Sequence, residues 1–456
     1  MKVIILNGSP KGDVSVTMQY VAYLQKKFPS HEYQILNVAQ DIRKIERDSA
    51  EFDRIMGTVR SGDVVLWAFP LYVLLVPAQY KRFIELVFER HAEEAFSGKY
   101  TAALTTSIHF FDQTANNYLH AICDDLGMKY CGFYSAEMMD LLKEEERNRL
   151  VMFAELLFDT VRHNLPVPQE HAPLVWPSWS YTPITLQKPI ETGGKKVVIL
   201  TDSPEPSANL AKMTDRLRHM FAGTVEQVNL HDIDIRGGCL GCCKCGYDNT
   251  CVYTDGYRDF YRDVLGNADI IIMAGTVHDR YLSSTWKQFF DRSFFKGHTP
   301  GLKGKQIGFV IEGPLQQLPV LKEALVAWAD NGGCHALFIT DESRDAGRLD
   351  ALLDAMATRL VRGAETRYIP PQTFYAVGGH KIFRDRIYGG MRLAFQADYQ
   401  YYTQHGLFDF PQNDLRTRMF NAIFIPLTRI PAFRKKVFAD IKHHMIQPFE
   451  AVLKSA

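Results

Sequence analysis

The chain contains an internal duplication, and this repeat constrains its fold more than any other feature. The run KVIILNGSP at residues 2–10 resembles KVVILTDSP at residues 196–204, and Asp63–Leu86 matches Asp269–Arg292 without a gap. Apolar runs that end in turn-forming residues and precede amphipathic stretches are typical of buried parallel strands leading into helices. Each repeat therefore predicts a doubly wound α/β domain.

The distance between matching residues changes once along the chain. The first pair of runs lies 194 residues apart, whereas the second pair and a third pair, beginning at Gly98 and Gly304, lie 206 residues apart. Twelve extra residues therefore entered the second repeat between its first strand and Asp269, and the same interval holds a cluster of cysteines.

Five of the eight cysteines lie within this interval. Cys239, Cys242, Cys245 and Cys251 have the spacing C-x2-C-x2-C-x5-C, and Cys243 stands outside it. Three thiolates at successive spacings of three residues can surround an iron–sulfur cubane, whereas structural zinc more often uses two separated CxxC pairs. Clustered thiols in a reducing compartment indicate metal or redox chemistry rather than disulfides. An iron–sulfur cluster, redox-active thiols and zinc all remain open.

The loop after the first strand of the first repeat is dense in hydroxyls and in residues that expose backbone N–H groups. At a strand-to-helix turn such donors converge on the positive end of the helix dipole and suit a monophosphate. The loop is neither a Walker loop nor a GxGxxG turn. The polar side chains of this segment, which runs from Asn7 to Thr17, include Ser9, Lys11, Ser15 and Thr17.

Two further strand ends of the first repeat suit a flat amphipathic ring. The third strand ends in apolar and aromatic residues, and the fourth ends in hydroxyls. These residues are Pro70, Leu71, Tyr72 and Val73 on the third strand, and Thr106 and Ser107 on the fourth. His109 follows, although a lone histidine is more often structural.

These motifs resemble the flavodoxin-like NAD(P)H-dependent FMN reductases, over residues 1–160 and 195–365. The resemblance implies two parallel sheets of order 2-1-3-4-5 with FMN at the strand carboxyl ends. It makes Ser9, Lys11, Ser15 and Thr17 the ligands of the FMN phosphate. It places Pro70, Leu71, Tyr72 and Val73 against the isoalloxazine, with Thr106 and Ser107 near the edge of that ring. The cysteine motif resembles that of the iron–sulfur flavoproteins, a branch of this family in which it binds a 4Fe–4S cluster that exchanges electrons with FMN.

The second repeat departs from this pattern. Its first loop carries Asp202 and Glu205 where a phosphate dianion should bind, which costs Coulomb energy. Thr276, Val277 and His278 replace the Pro-Leu-Tyr of the first repeat. We therefore expect the first repeat to bind FMN and the second not to bind it.

The remaining segments predict a linker and a helical tail. Residues 1–165 and 195–368 form the two domains, and the proline-rich residues 166–194 are expected to be an extended linker. Residues 369–456 form a helical extension, expected to be a cap on a domain or a neighbouring subunit, with a lid as an alternative. Its predicted helices are Asp385–Gln400, Asp414–Ile425 and Ala432–Leu453. Around Arg434–Lys442 a solvated face is favoured over a membrane-surface helix.

Lysines and arginines balance aspartates and glutamates at 52 each, which argues against nucleic acid or an anionic membrane as the main partner. No apolar stretch approaches a membrane span, and we expect a cytoplasmic homo-oligomer. The resemblance implies an FMN-dependent NAD(P)H oxidoreductase that passes electrons through the cluster, or directly, to an unknown acceptor. The alternatives are an electron-transfer flavoprotein reduced by a partner protein, and a zinc-stabilised or structural protein without flavin.

Overall fold

Strands and helices alternate along the first repeat in the computed structural model, which describes residues 1–184, 188–203, 208–410 and 415–455 apart from some side chains after residue 439. The strands are β1 (Lys2–Asn7), β2 (Glu32–Leu36), β3 (Val64–Pro70), β4 (Tyr100–Ser107) and β5 (Lys129–Glu137). The helices are α1 (Val16–Lys27), α2 (Ile42–Arg47), α3 (Ser49–Arg60), α4 (Ala78–Glu89), α5 (Asp112–Asp125) and α6 (Glu144–Arg162). All strand pairs are parallel, in the order β2-β1-β3-β4-β5, which confirms the predicted order.

The second repeat builds the same sheet. Its strands are β6 (Ile190–Glu191), β7 (Val197–Thr201), β8 (Phe221–Ala222), β9 (Val225–Asn229), β10 (Ile270–His278), β11 (Tyr281–Leu282), β12 (Gln306–Glu312) and β13 (His335–Thr340). The short strands β6, β8 and β11 flank the five main ones. Its helices are α7 (Asn209–Met220), α8 (Cys245–Asp248), α9 (Tyr257–Phe260), α10 (Ser284–Arg292), α11 (Pro319–Asn331) and α12 (Ala346–Thr366). The parallel order β9-β7-β10-β12-β13 repeats that of the first sheet, and β11 adds an antiparallel hairpin to β10.

The two sheets share one hydrophobic core. Successive side chains of a strand point to opposite faces, so Val3 and Ile5 pack with α1 and α6, whereas Ile4 and Leu6 face the helices on the other side. The second repeat likewise has a core of its own with α7 and α12. The inner faces of both sheets belong to a single core that also contains α4 and α5 of one repeat and α10 and α11 of the other.

Helices α4 and α10 cap each other reciprocally. The backbone N–H of Ala78, at the start of α4, donates to Asp291 Oδ2 of α10 over 2.8 Å. The backbone N–H of Ser284, at the start of α10, donates to Glu85 Oε1 of α4 over 2.5 Å. Both donors and both acceptors are equivalent residues of the two repeats, so the interface is self-complementary like that of a twofold dimer.

A buried lysine completes each cap. Lys81 donates to Glu85 Oε1 over 3.0 Å, and Lys287 donates to Asp291 one helical turn along α10. Both lysine side chains are 0% exposed. Since a buried charge that loses its partner costs about 3–5 kcal/mol, these four side chains hold the repeats in one relative orientation.

The linker has no regular secondary structure over residues 166–184. The tail is helical, in α13 (Phe374–Tyr388), α14 (Gln396–Gln404), α15 (Leu415–Leu427), α16 (Pro431–Ile446) and α17 (Glu450–Ser455). The prediction of one helix over Asp385–Gln400 is wrong, because Gly389 and Gly390 separate α13 from α14. The predicted helix Ala432–Leu453 is likewise interrupted after Ile446 by a 3-10 turn that contains Pro448, and Asp414 lies outside the described residues.

The chain divides into two compact units, residues 1–401, which hold both repeats, and residues 402–456. The second unit exposes many large apolar side chains, Phe420, Ile423 and Phe438 among them. Among the described helices, none combines the length and the apolar character needed to cross a bilayer.

Replacing Glu85 by glutamine should make the free energy of unfolding less dependent on pH in the acidic range. Burial works to raise the pKa of Glu85, but Lys81, Ser284 and Arg82 outweigh it and lower the pKa from 4.5 to about 2. The charge of Glu85 therefore stabilises the fold fully above its ordinary pKa, and this stabilisation is lost as pH falls toward 2. We expect Glu85→Gln to lower the free energy of unfolding by roughly 3 kcal/mol at neutral pH, with the difference from wild type shrinking on acidification.

Urea unfolding over a pH series measures this difference. Glu89→Gln is the matched control, because Glu89 lies on the same helix and pairs with Arg82 but is 48% exposed, so its effect should be small at every pH. A difference between wild type and Glu85→Gln that does not change with pH would contradict the assigned role.

Candidate active site at the junction of the repeats

The first loop, residues 8–15, leads from β1 into α1 and contains three of the four predicted phosphate ligands. Ser9 is buried, and its Oγ accepts a hydrogen bond from the Lys11 N–H over 3.3 Å. Ser15 caps α1, since its Oγ accepts from the Met18 N–H over 3.3 Å. Hydroxyls and the positive end of a helix thus meet at one point.

A hydroxyl from the start of a helix and one from the end of a strand also meet here. Thr17 Oγ1, on the first turn of α1, lies 2.6 Å from Thr106 Oγ1 at the end of β4. The neighbouring Ser107 Oγ accepts from the N–H of His109 over 2.8 Å. His109 itself pairs with Asp112 over 2.9 Å, and this hydrogen bond raises the pKa of the imidazole. This contact gives His109 a local structural role, which is the more common role of a lone histidine.

The predicted ring-lining residues of the second loop, residues 71–77, do not all point in the same direction. The N–H of Leu71 donates to the Thr106 carbonyl over 3.1 Å, which holds the loop beside β4. Val73 faces the second repeat, where it lines a small cavity with Tyr281 and Trp328. Tyr72 points elsewhere, and its hydroxyl is buried without a hydrogen-bond partner among the described residues.

Tyr72 points at the cysteine loop, residues 237–251 of the second repeat. A Cβ on Gly241 would overlap the Tyr72 hydroxyl, so only glycine allows this approach. Gln79 of α4 donates from Nε2 to the Cys239 carbonyl over 3.3 Å. Burial raises the pKa of Tyr72, and the nearby Cys239 thiol raises it further. The inserted loop of the second repeat therefore rests on the second loop of the first repeat.

The cysteine loop encloses a cavity lined by all five of its thiol-bearing residues. Each cysteine is a free thiol. Burial raises the pKa of Cys239, and it raises that of Cys245 to about 12. Burial also raises the pKa of the Cys243 thiol, which is partly offset by the ammonium group of Lys11. Lys11, a predicted phosphate ligand, is thus close to the cysteine loop.

The clustered thiols do not converge on one point. Four sulfurs around zinc at about 2.3 Å lie about 3.8 Å from one another. In the described part of the chain, no three thiols have their sulfurs within 4.8 Å of one another.

Arg292 is a site residue that the motifs missed. Its guanidinium lies beside the cysteine cavity, donates to the Gly237 carbonyl over 3.0 Å and forms two 2.8 Å hydrogen bonds with Asp255. Burial works to raise the pKa of Asp255, but Arg292 holds it below its ordinary value. The available signal was the repeat alignment, in which Arg292 replaces the apolar Leu86.

The equivalent site of the second repeat is filled by its own carboxylate. Glu312, aligned with Thr106, accepts hydrogen bonds from the N–H groups of Asn209 and Leu210 at the start of α7, over 3.2 and 3.3 Å. A carboxylate therefore occupies the helix end that would bind a phosphate. Asp202 is buried and bonded to Ser283, whereas Glu205 lies outside the described residues.

The linker covers this second site. Asn209 donates from Nδ2 to the Trp179 carbonyl over 3.2 Å, and Trp179 Nε1 donates to the Asp341 carbonyl over 2.7 Å. Trp176 packs close to Gly313 at the end of β12. The linker thus lies across the carboxyl ends of the second sheet.

The first part of the tail packs over the third loop of the first repeat, residues 108–111. The Phe383 ring of α13 lies 5.0 Å from that of Phe110 and 3.9 Å from that of His298. Phe395 contacts the cysteine loop at Gly246. Residues 374–395 therefore connect both repeats on the side of the candidate site.

Comparison with known proteins agrees with this architecture. The fold and its loops define a tandem flavodoxin-like α/β protein. Residues 1–155 match the family model described as flavodoxin-like fold, and residues 195–342 match that described as NADPH-dependent FMN reductase. Each repeat thus matches its own model, the first that of the flavodoxin-like fold and the second that of the NADPH-dependent FMN reductases.

An iron-sulfur flavoprotein of Archaeoglobus fulgidus is 30% identical over 119 residues, 25% of this chain and 53% of that protein. The chain thus spans about half the length of this curated relative. An FMN-dependent NADH-azoreductase of Bacillus anthracis in complex with FMN is 14% identical, with a TM-score of 0.27 over 36% of this chain and 98% of that one. The FerB flavoenzyme NAD(P)H:(acceptor) oxidoreductase of Paracoccus denitrificans is 17% identical, with a TM-score of 0.29 over 35% and 97%.

Gly241→Ala should displace the cysteine loop away from Tyr72. Gly241 has φ +62°, where any other residue is strained by about 1–3 kcal/mol, and the new Cβ would also overlap the tyrosine hydroxyl. We expect alkylation of the partly buried Cys239 to become at least roughly tenfold faster, measured residue by residue with mass spectrometry.

Gly57→Ala serves as the control, because this α3 glycine has no heavy atom within 4 Å of the added Cβ. It should leave the Cys239 rate unchanged. Equal rates in wild type and Gly241→Ala would show that the loop does not depend on this contact.

Proposed function

We propose that the protein is an FMN-dependent oxidoreductase whose first repeat binds the flavin and whose cysteine loop holds an iron–sulfur cluster beside it. The family match supports a nicotinamide dinucleotide as the reductant. The acceptor is a second molecule that receives electrons from the flavin or from the cluster.

The first repeat fits FMN and the second does not. The phosphate would be held by Ser9, Lys11, Ser15 and Thr17 at the start of α1, where hydroxyls, N–H groups and one cation converge. The ring would lie against Pro70, Leu71 and Tyr72, with Thr106 and Ser107 near its edge. In the second repeat Glu312 and the linker fill the corresponding space.

The spacing of the cysteines along the chain favours a cluster over zinc. Cys239, Cys242, Cys245 and Cys251 would be the ligands, and they line one cavity. Arg292 lies at the cavity and would offset the negative charge of the thiolates. When bound, such a cluster supplies one-electron transfer, and FMN supplies hydride acceptance.

The contact between Gly241 and Tyr72 carries the proposal. Because the cysteine loop rests on the second loop, a group held by either loop would have the other as its immediate neighbour. The close approach of Gly241 to the Tyr72 hydroxyl brings the two loops together. The second repeat thus contributes the ligand loop to a site whose flavin part belongs to the first repeat.

Removing the Lys11 charge should weaken FMN binding through the phosphate alone. We expect one FMN per chain, and Lys11→Ala should lower FMN affinity roughly tenfold, equivalent to about 1.4 kcal/mol. Riboflavin lacks the phosphate, so its weaker affinity should not change. Quenching of flavin fluorescence during titration of the apoprotein measures both ligands.

Lys26→Ala is the control, because Lys26 is an exposed lysine on α1, the helix that follows the first loop. Two flavins per chain, or equal losses for FMN and riboflavin, would contradict the phosphate site. Anaerobic addition of NADH or NADPH should then bleach the bound flavin. If only a partner protein or a chemical reductant bleaches it, the chain is an electron-transfer module rather than a nicotinamide oxidoreductase.

Four of the five clustered cysteines should be needed for iron. After anaerobic reconstitution with iron and sulfide, serine at any of the four proposed ligand positions should strongly lower the iron and sulfide bound per chain. Cys243→Ser should retain the wild-type content, since Cys243 lies outside the C-x2-C-x2-C-x5-C motif. Zinc without iron in the purified protein, or an equal loss in Cys243→Ser, would contradict this ligand set.

A further inference from the structure

A second group of metal-ligating side chains lies outside the cysteine loop. His120 and Asp124 are one turn apart on α5, and His171 belongs to the start of the linker. One ligand atom from each of the three lies within 4.8 Å of the others, and no other set among the described residues meets this criterion.

Two of these ligand atoms are buried without partners. Asp124 is fully buried; its Oδ2 accepts from the His171 N–H over 2.9 Å and faces His171 Nδ1 at 2.8 Å. Its Oδ1 has no hydrogen-bond partner among the described residues, and neither does the buried Nε2 of His120. The His120 Nε2 atom lies 3.6 Å from Asp124 Oδ2. An unsatisfied buried polar atom costs about 1–3 kcal/mol, so two of them in one cluster call for a ligand.

The surroundings hold the rings in position. The His120 ring stacks on Tyr130 with centroids 4.2 Å apart, and the His171 ring meets it edge-on at 4.7 Å. The Glu170 carboxylate lies 3.9 Å from the other ring nitrogen of His120, Nδ1, at the exposed side. Two imidazoles and carboxylate oxygens form the donor set preferred by zinc and similar divalent transition metals.

We propose that His120, Asp124 and His171 bind a divalent transition metal, of which Zn²⁺ is the representative, and that this ion fastens the linker to α5. The next linker residue supports a structural role. Arg280 of the second repeat donates to the Ala172 carbonyl over 2.6 Å and to Asp125 Oδ1 over 2.7 Å. The ion would therefore stabilise the point at which the linker and both repeats meet.

Zinc binding to the full chain tests this site, with His171→Ala as the main variant because His171 is partly exposed and its loss should not unfold the protein. Wild type should bind one more Zn²⁺ per chain than His171→Ala, measured by elemental analysis after equilibration and desalting. Zinc affinity at this site should fall at least roughly tenfold, since even outer-shell losses have that effect. Zn²⁺ should raise the melting temperature of wild type more than that of the variant.

His163→Ala, an exposed histidine at the end of α6, should behave as wild type. Any zinc held by the cysteine loop cancels in the comparison, and Co²⁺ at the new site should give a spectrum without thiolate-to-metal charge transfer. Asp124→Asn, assayed in the same way, provides a second variant. Equal zinc content and equal thermal shifts in wild type and His171→Ala would overturn the proposal and leave a hydrogen-bonded His–Asp–His group.

Discussion

The reciprocal capping of α4 and α10 is the interaction on which the rest of the structure depends. Glu85 and Asp291 each accept hydrogen bonds from the first N–H of the opposite helix and from a buried lysine of their own helix. Displacement of either helix would leave charged groups unpaired in an apolar interior, which is strongly destabilising. Because this pairing fixes the two repeats against each other, their sheets share one core. For the same reason the cysteine loop contacts the first repeat.

The interface between α4 and α10 is symmetric, but the two repeats differ at the helix starts that follow their first strands. On the first repeat, the start of α1 offers hydroxyls and Lys11, whereas the start of α7 is already bonded to Glu312. The inserted cysteines lie in the second repeat but extend to Tyr72 of the first. A single composite site at the junction results, while the equivalent position in the second repeat lies beneath the linker.

The repeats themselves could be predicted from sequence, because buried strands, turn residues and the matched spacing all indicate the same fold. The pairing of the repeats could not be predicted. Ile4 and Val3 lie on opposite faces of one strand, and both are equally apolar, so the pattern does not say which face meets the other repeat. The sequence therefore suggests a cluster and a flavin in separate domains, and only the packing of α4 on α10 brings the two loops together.

Carrying both repeats on one chain also removes a constraint that identical subunits face. In a dimer of identical chains every substitution is made twice, so neither active site can be lost without the other. Here Glu312 is bonded to the start of α7 in the second repeat, whereas the aligned residue of the first repeat is the uncharged Thr106. The tether also keeps the halves at a high effective concentration, so a site completed by the opposite half does not come apart on dilution.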